Sequence, residues 1–131
     1  MEVVWLSPEK VQQLNRIALY EGETHAINPG SDLAGALNRP RGHYQFGNVE
    51  SLYELAAMHA VAITKAHAFQ DGNKRTAILT VRAFLRANGM DFDFGPHDDE
   101  AVKMMESIAT GDVDREEVAE WIRRNTVGAS D

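Results

Sequence analysis

The sequence contains no cysteine, which excludes both a disulfide framework and a thiolate-held metal. Basic residues are in deficit. Thirteen Lys and Arg stand against 20 Asp and Glu, for a formal net charge of −7. That balance argues against broad nucleic-acid binding, which calls for a basic surplus. It leaves room for a local cationic site. No apolar run is long enough to cross a bilayer. The opening MEVVWLSPEK has an early acid, a short apolar stretch and no basic leader, so no signal peptide is expected. The expected location is cytoplasmic. Repeats, low-complexity tracts and linkers are also missing, and 131 residues fit a single domain, 1–131, with its own core. The tail 126–131, TVGASD, is expected to fray into disorder.

What is present is helical periodicity. Ser7 followed by Pro8 reads as the N-cap and first position of a helix, with Val11, Leu14 and Ala18 on one face and Gly22 as the stop. Asp32 to Arg39 predicts a short helix ended by Pro40, and Arg39 to Asn48 then predicts an irregular loop or short hairpin, a small extended flap. His25 and His43 are read as loop residues. Glu50 to Ala66 is apolar on more than one face around LAAMHAVAI, the mark of a central buried helix, and His59 within it is read as a hydrogen-bonded core residue. Further helices are predicted over Lys74 to Ala87, from Asp98 (Val102, Met105, Ile108 and Ala109 inward), and from Asp114, where Asp114 and Glu117 match a capping box. Met90 to Phe94 suits a short extended piece. The fold class is all-α, with about six helices.

The segment between the two longest helical stretches carries the chemistry: His67-Ala68-Phe69-Gln70-Asp71-Gly72-Asn73-Lys74-Arg75-Thr76. Gly72 permits positive φ just before a helix. The first amides of that helix have no intrahelical acceptor and sit at the positive end of its dipole, a place that welcomes an anion. Lys74 and Arg75 add cations at an end where cations are otherwise unfavourable, which makes sense if an anion lies among them. Asp71 offers a carboxylate for Mg2+, or alternatively a helix cap. A neutral His67 can take a proton from an attacking hydroxyl. Phe69 is read as a buried anchor for the loop. These parts imply phosphoryl or nucleotidyl transfer, in which positioning and charge neutralisation dominate.

The loop resembles the signature of the Fic/Doc family, H-x-F-x-[D/E]-G-N-[G/K]-R, at every fixed position. WLSPEKV, DLAGALNRPR and LTVRAFLRANG resemble its Doc branch, so that the likeness spans roughly residues 5–125. The resemblance implies the all-α Fic/Doc fold, an ATP cosubstrate and Mg2+. It implies His67 as general base, Asp71 as metal ligand, Gly72 and Asn73 as the anion-binding turn, and Arg75 as a phosphate-gripping residue. Lys74 stands where AMP-transferring members have a second glycine, and Doc-type toxins resemble the chain there. That implies transfer of the terminal phosphate of ATP to a protein hydroxyl, with a threonine of elongation factor Tu as the family's target and translation inhibited. An AMP transferase and a non-catalytic binding module are the alternatives. Gly72 follows the Fic pattern where some Doc members have Ala, and EGETHAINPGS departs from the glycine-rich Doc consensus. No Ser or Thr is followed four residues later by Glu, so the family's self-inhibitory motif is absent. The resemblance then implies control by a separate antitoxin whose disordered segment folds on binding, as in a type II toxin–antitoxin module.

Overall fold

The computed structural model describes residues 2–128. Six helices and two short strands follow in the order α1 (Pro8–Ala18), α2 (Leu33–Gln45), α3 (Leu52–Ala66), α4 (Asn73–Ala87), β1 (Met90–Phe92), α5 (Asp99–Thr110), α6 (Arg115–Arg124) and β2 (Thr126–Gly128). The fold is all-α, as expected. Helix α3 is the centre and packs against α2, α4, α5 and α6. Its run Leu55–Ala60 is buried without interruption, because alanines at 56, 57 and 60 let neighbouring helices approach on several sides. Ile63 of α3, Ile78 and Phe84 of α4, Met105 of α5 and Ile122 of α6 close the core around it.

Helix starts follow local chemistry. Ser7, Asp32, Ser51, Asp98 and Asp114 each accept a hydrogen bond from a first-turn amide, and Asp114 with Glu117 completes a capping box. Helix α1 ends at Ala18 rather than running to Gly22, because Leu19 turns to extended backbone.

Three expectations are corrected. The stretch Arg39 to Asn48 forms no extended flap: α2 continues through Pro40 and Gly42 to Gln45, and His43 is helical. A proline inside a helix costs about 3 kcal/mol through its missing N–H and its clash. Burial of Leu33 and Leu37 on the same stripe returns about 1.5–3 kcal/mol each, so packing overrides the breaker. The tail is ordered at 126–128, where Thr126, Val127 and Gly128 pair antiparallel with Phe92, Asp91 and Met90; the expectation for 129–131 lies outside the described residues. Ala109, expected inward, is exposed.

His59 is a core residue, as read. It lies between Phe84 and Trp5, with ring centroids 4.4 and 6.2 Å away, and its Nδ1 is 2.8 Å from the Leu55 carbonyl. That carbonyl can only accept, so the proton sits on Nδ1. Burial pushes its pKa down to about 4. Between pH 6.5 and 4 the unfolded chain therefore binds a proton that the folded chain refuses. Stability is predicted to fall as pH drops through that window, by on the order of 3 kcal/mol from this group. His59→Phe should flatten this part of the profile in urea titrations at stepped pH; an unchanged slope would contradict the assignment.

Candidate active site

The loop between α3 and α4 borders an open cleft of about 430 Å3, whose lining includes His67, Asp71, Gly72, Asn73, Lys74 and Arg75. All six residues singled out in the sequence thus come together, although they do different things there.

His67 terminates α3 with φ 47° and ψ 44°, the one non-glycine at positive φ among the described residues. A glycine is usual at such a helix end. The backbone reversal turns the chain out of α3, and His67 is exposed on the cleft. Two residues on, Phe69 is fully buried and anchors the loop. Asn73 clamps that anchor, with its Oδ1 accepting from Phe69 N–H at 3.0 Å and its Nδ2 donating to Phe69 O at 2.7 Å. Asn73 therefore shapes the turn with its side chain and leaves its backbone amide for a ligand.

Gly72 is the N-cap of α4 at φ 77°, and no side chain caps this helix. Each of the other five helices has a capping side chain. The first intrahelical bond is Thr76 N–H to Gly72 O at 2.8 Å, so the amides of Asn73, Lys74 and Arg75 precede it without a helical acceptor. Asp71 does not fill the gap. Its Oδ2 accepts instead from Thr24 N–H at 2.9 Å, while Oδ1 takes no hydrogen bond among the described residues. The capping alternative for Asp71 is thereby excluded. Lys74 is exposed and carries no ion pair among the described residues.

Arg75 makes contacts that the motif does not announce. Its Nη1 and Nη2 donate to the two carboxylate oxygens of Glu23 at 2.7 and 2.8 Å, and Nη1 also donates to Ala18 O at 2.7 Å. Its Cζ lies 4.2 Å from the centroid of the Tyr20 ring, a cation–π arrangement, and His97 stacks with Tyr20 at 4.5 Å. The Arg75 guanidinium, aided by the Tyr20 N–H, holds the Glu23 carboxyl down at about 2, and Glu23 in turn raises the pKa of Arg75. The pair's contribution is present above the ordinary carboxylate range and is lost only as pH falls toward 2. In this arrangement Arg75 ties Ala18 at the end of α1 and Glu23 in the following loop to the start of α4, while lining the cleft.

The segment 23–28 was not recognised from sequence as part of the site, yet it runs alongside the loop. Ile27 and Phe69 form an antiparallel bridge. Gln70 N–H donates to Ala26 O and Asn28 N–H to Ala68 O, both at 2.8 Å. From α1, the fully buried Asn15 donates to Asp71 O at 2.9 Å and Thr76 Oγ1 at 3.0 Å, and its Oδ1 accepts from His25 Nδ1 at 2.7 Å. Desolvation lowers the His25 pKa. One sequence signal was available: Asn15 falls four residues after Val11, on the apolar stripe of α1, where a polar side chain needs a buried partner.

The donor set fits a metal-bound polyphosphate. Asp71, whose Oδ1 takes no hydrogen bond among the described residues, is the carboxylate that could hold a cation beside the turn. The family model described as Fic/DOC family matches residues 5–85. The chain is 31% identical over 121 residues to the protein "Protein kinase doc" of Escherichia phage P1, covering 91% of this chain and 93% of that relative. It is 35% identical over 120 residues to "Toxin Doc" of Mycolicibacterium smegmatis, covering 88% of each.

The left-handed turn gives a stability test. A Cβ at position 72 would lie 3.3 Å from Leu19 Cδ2, a contact that a flexible side chain can relieve, but φ stays at +77°. Gly72→Ala is predicted to cost about 1–2 kcal/mol in urea denaturation; no loss would mean that the turn does not require this conformation.

Proposed function

From the premise that this chain belongs to the Fic/DOC family, we propose that it is a Doc-like toxin that transfers the terminal phosphate of ATP to a hydroxyl of a protein. The observation that carries the reading is the start of α4: the one helix among the described residues without a capping side chain opens on the cleft that also holds the exposed His67. An anion is the missing partner of those amides, and a base beside them gives the anion something to react with.

In this reading the amides of Asn73, Lys74 and Arg75, with the Lys74 ammonium, hold the phosphates and offset charge on the transferring group. Asp71 keeps one carboxylate oxygen for Mg2+, which when bound neutralises phosphate charge and orients the phosphates. His67 accepts the proton of the target hydroxyl as its oxygen bonds to the γ-phosphorus. The bond from that phosphorus to the β,γ-bridging oxygen breaks, and ADP leaves. Arg75 braces the turn through Glu23 and Ala18, and its remaining donors, Nε and the second hydrogen of Nη2, are left for a phosphate in the cleft that it lines.

Lys74 favours phosphate over AMP transfer, since it fills with a charged side chain the place where AMP-transferring members carry glycine. The target we propose is a threonine of elongation factor Tu, the target implied by the Doc resemblance, with translation inhibited as the result. The partner we propose is an antitoxin of a type II module, and the site of action is the cytoplasm. No helix among the described residues is long and apolar enough to cross a membrane.

The test is transfer of label to protein in a translation extract, with ATP labelled on either the α or the γ phosphate. Label from γ is expected. Label from α alone would replace this reading with AMP transfer, and label from neither would leave a binding module. His67→Ala is predicted to lower transfer by about 10²–10⁴-fold. Asp71→Asn, which can still accept from Thr24 N–H, should stay folded by circular dichroism and lose Mg2+-dependent transfer.

A further inference from the structure

The reactive geometry of the loop depends on where the His67 imidazole points, and that depends on a backbone conformation that histidine adopts reluctantly. φ at 67 is 47° with no glycine to ease it. Something must hold it. The two carbonyls that bracket the reversal, His67 O and Phe69 O, both accept from the same nitrogen: Nδ2 of Asn28, at 2.8 and 2.9 Å. The geometry points to Asn28 as a positioning residue for His67, using both hydrogens of its amide group to fix the span from 67 to 69 and so the direction of the imidazole.

Asn28 is suited to the task because it is itself fixed. Its N–H donates to Ala68 O at 2.8 Å, and its carbonyl accepts from Ser31 N–H at 3.2 Å and Ser31 Oγ at 2.7 Å. Its side chain therefore reaches the loop from a backbone tied on both sides. No other side chain among the described residues hydrogen-bonds to His67 O. Asn73 holds only Phe69, from the α4 side, so it sets the turn into α4 without setting residue 67. Catalytic groups must be kept within about 0.5 Å and 10–20° of the productive arrangement by such outer contacts.

A role in packing alone and a role in positioning make different predictions. Asn28→Asp keeps the shape of the side chain but removes both N–H groups and sets a carboxylate against two carbonyl oxygens. Asn28→Ala removes the side chain, while the backbone bonds at Ala68 and Ser31 persist. Both variants are expected to lower kcat by about 10²-fold, with KM for ATP within about twofold of the wild type, since the phosphate-holding amides are untouched. Full kcat in Asn28→Asp would overturn the proposal, because shape would then suffice. The kinetic arm rests on the phosphotransfer reading. A second arm does not: scalar couplings and carbon shifts of residue 67, measured by NMR on uniformly labelled protein, report its φ directly. Loss of positive φ at 67 in both variants supports the assignment even if the wild type transfers no phosphate; retention of positive φ in both overturns it. If Asn28→Ala fails to fold, Asn28→Asp decides both arms.

Discussion

The amides of Asn73, Lys74 and Arg75 begin α4 with neither a helical acceptor nor a capping side chain, and most features of the site answer to that vacancy. Every other helix start is closed by a Ser or Asp within its own sequence neighbourhood. The carboxylate best placed to do the same at α4, Asp71, is held aside by Thr24 N–H. A helix end left open in this way favours an anion both through its free donors and through its dipole. Lys74 strengthens that preference. The Arg75 charge is already offset by Glu23, so the net local potential rests on one lysine and the backbone rather than on the two cations that the bare sequence suggests.

The open turn keeps its shape because distant segments are tied to it. Asn15 reaches it from α1, the 23–28 segment pairs beside it, and Phe69 is sunk into the core. Glu23 and Arg75 join the loop after α1 to the first turn of α4 by a bidentate ion pair. Such paired, directional contacts fix orientation more tightly than apolar packing does. The result is a turn tied from several sides, with the side chains of His67 and Lys74 exposed on the cleft.

Much of this was legible in the sequence, and for a definite reason. The motif His67 to Arg75 is contiguous, so its residue types, glycine position and helix start could be read together. Capping at Ser7 and Asp114 was equally local. What escaped depends on contacts between remote positions. Asn28 meets His67 across 39 residues and Glu23 meets Arg75 across 52, and no local pattern announces either. The same limit explains the missed helix beyond Pro40, where burial outweighs a local breaker, and the strand at 126–128, which exists only through its pairing with β1. Arg75 was legible as a residue of the loop, but its engagement with Glu23, a partner that the motif does not contain, was not.

The central claim is that the start of α4 binds polyphosphate through its backbone. Its most direct test is a titration of 15N-labelled protein with ATP and Mg2+, following each backbone amide by NMR. The largest shifts should fall on the amides of Asn73, Lys74 and Arg75, saturating together with one affinity. Saturable binding with its largest shifts elsewhere, or no change at these amides at millimolar ATP, would contradict the account.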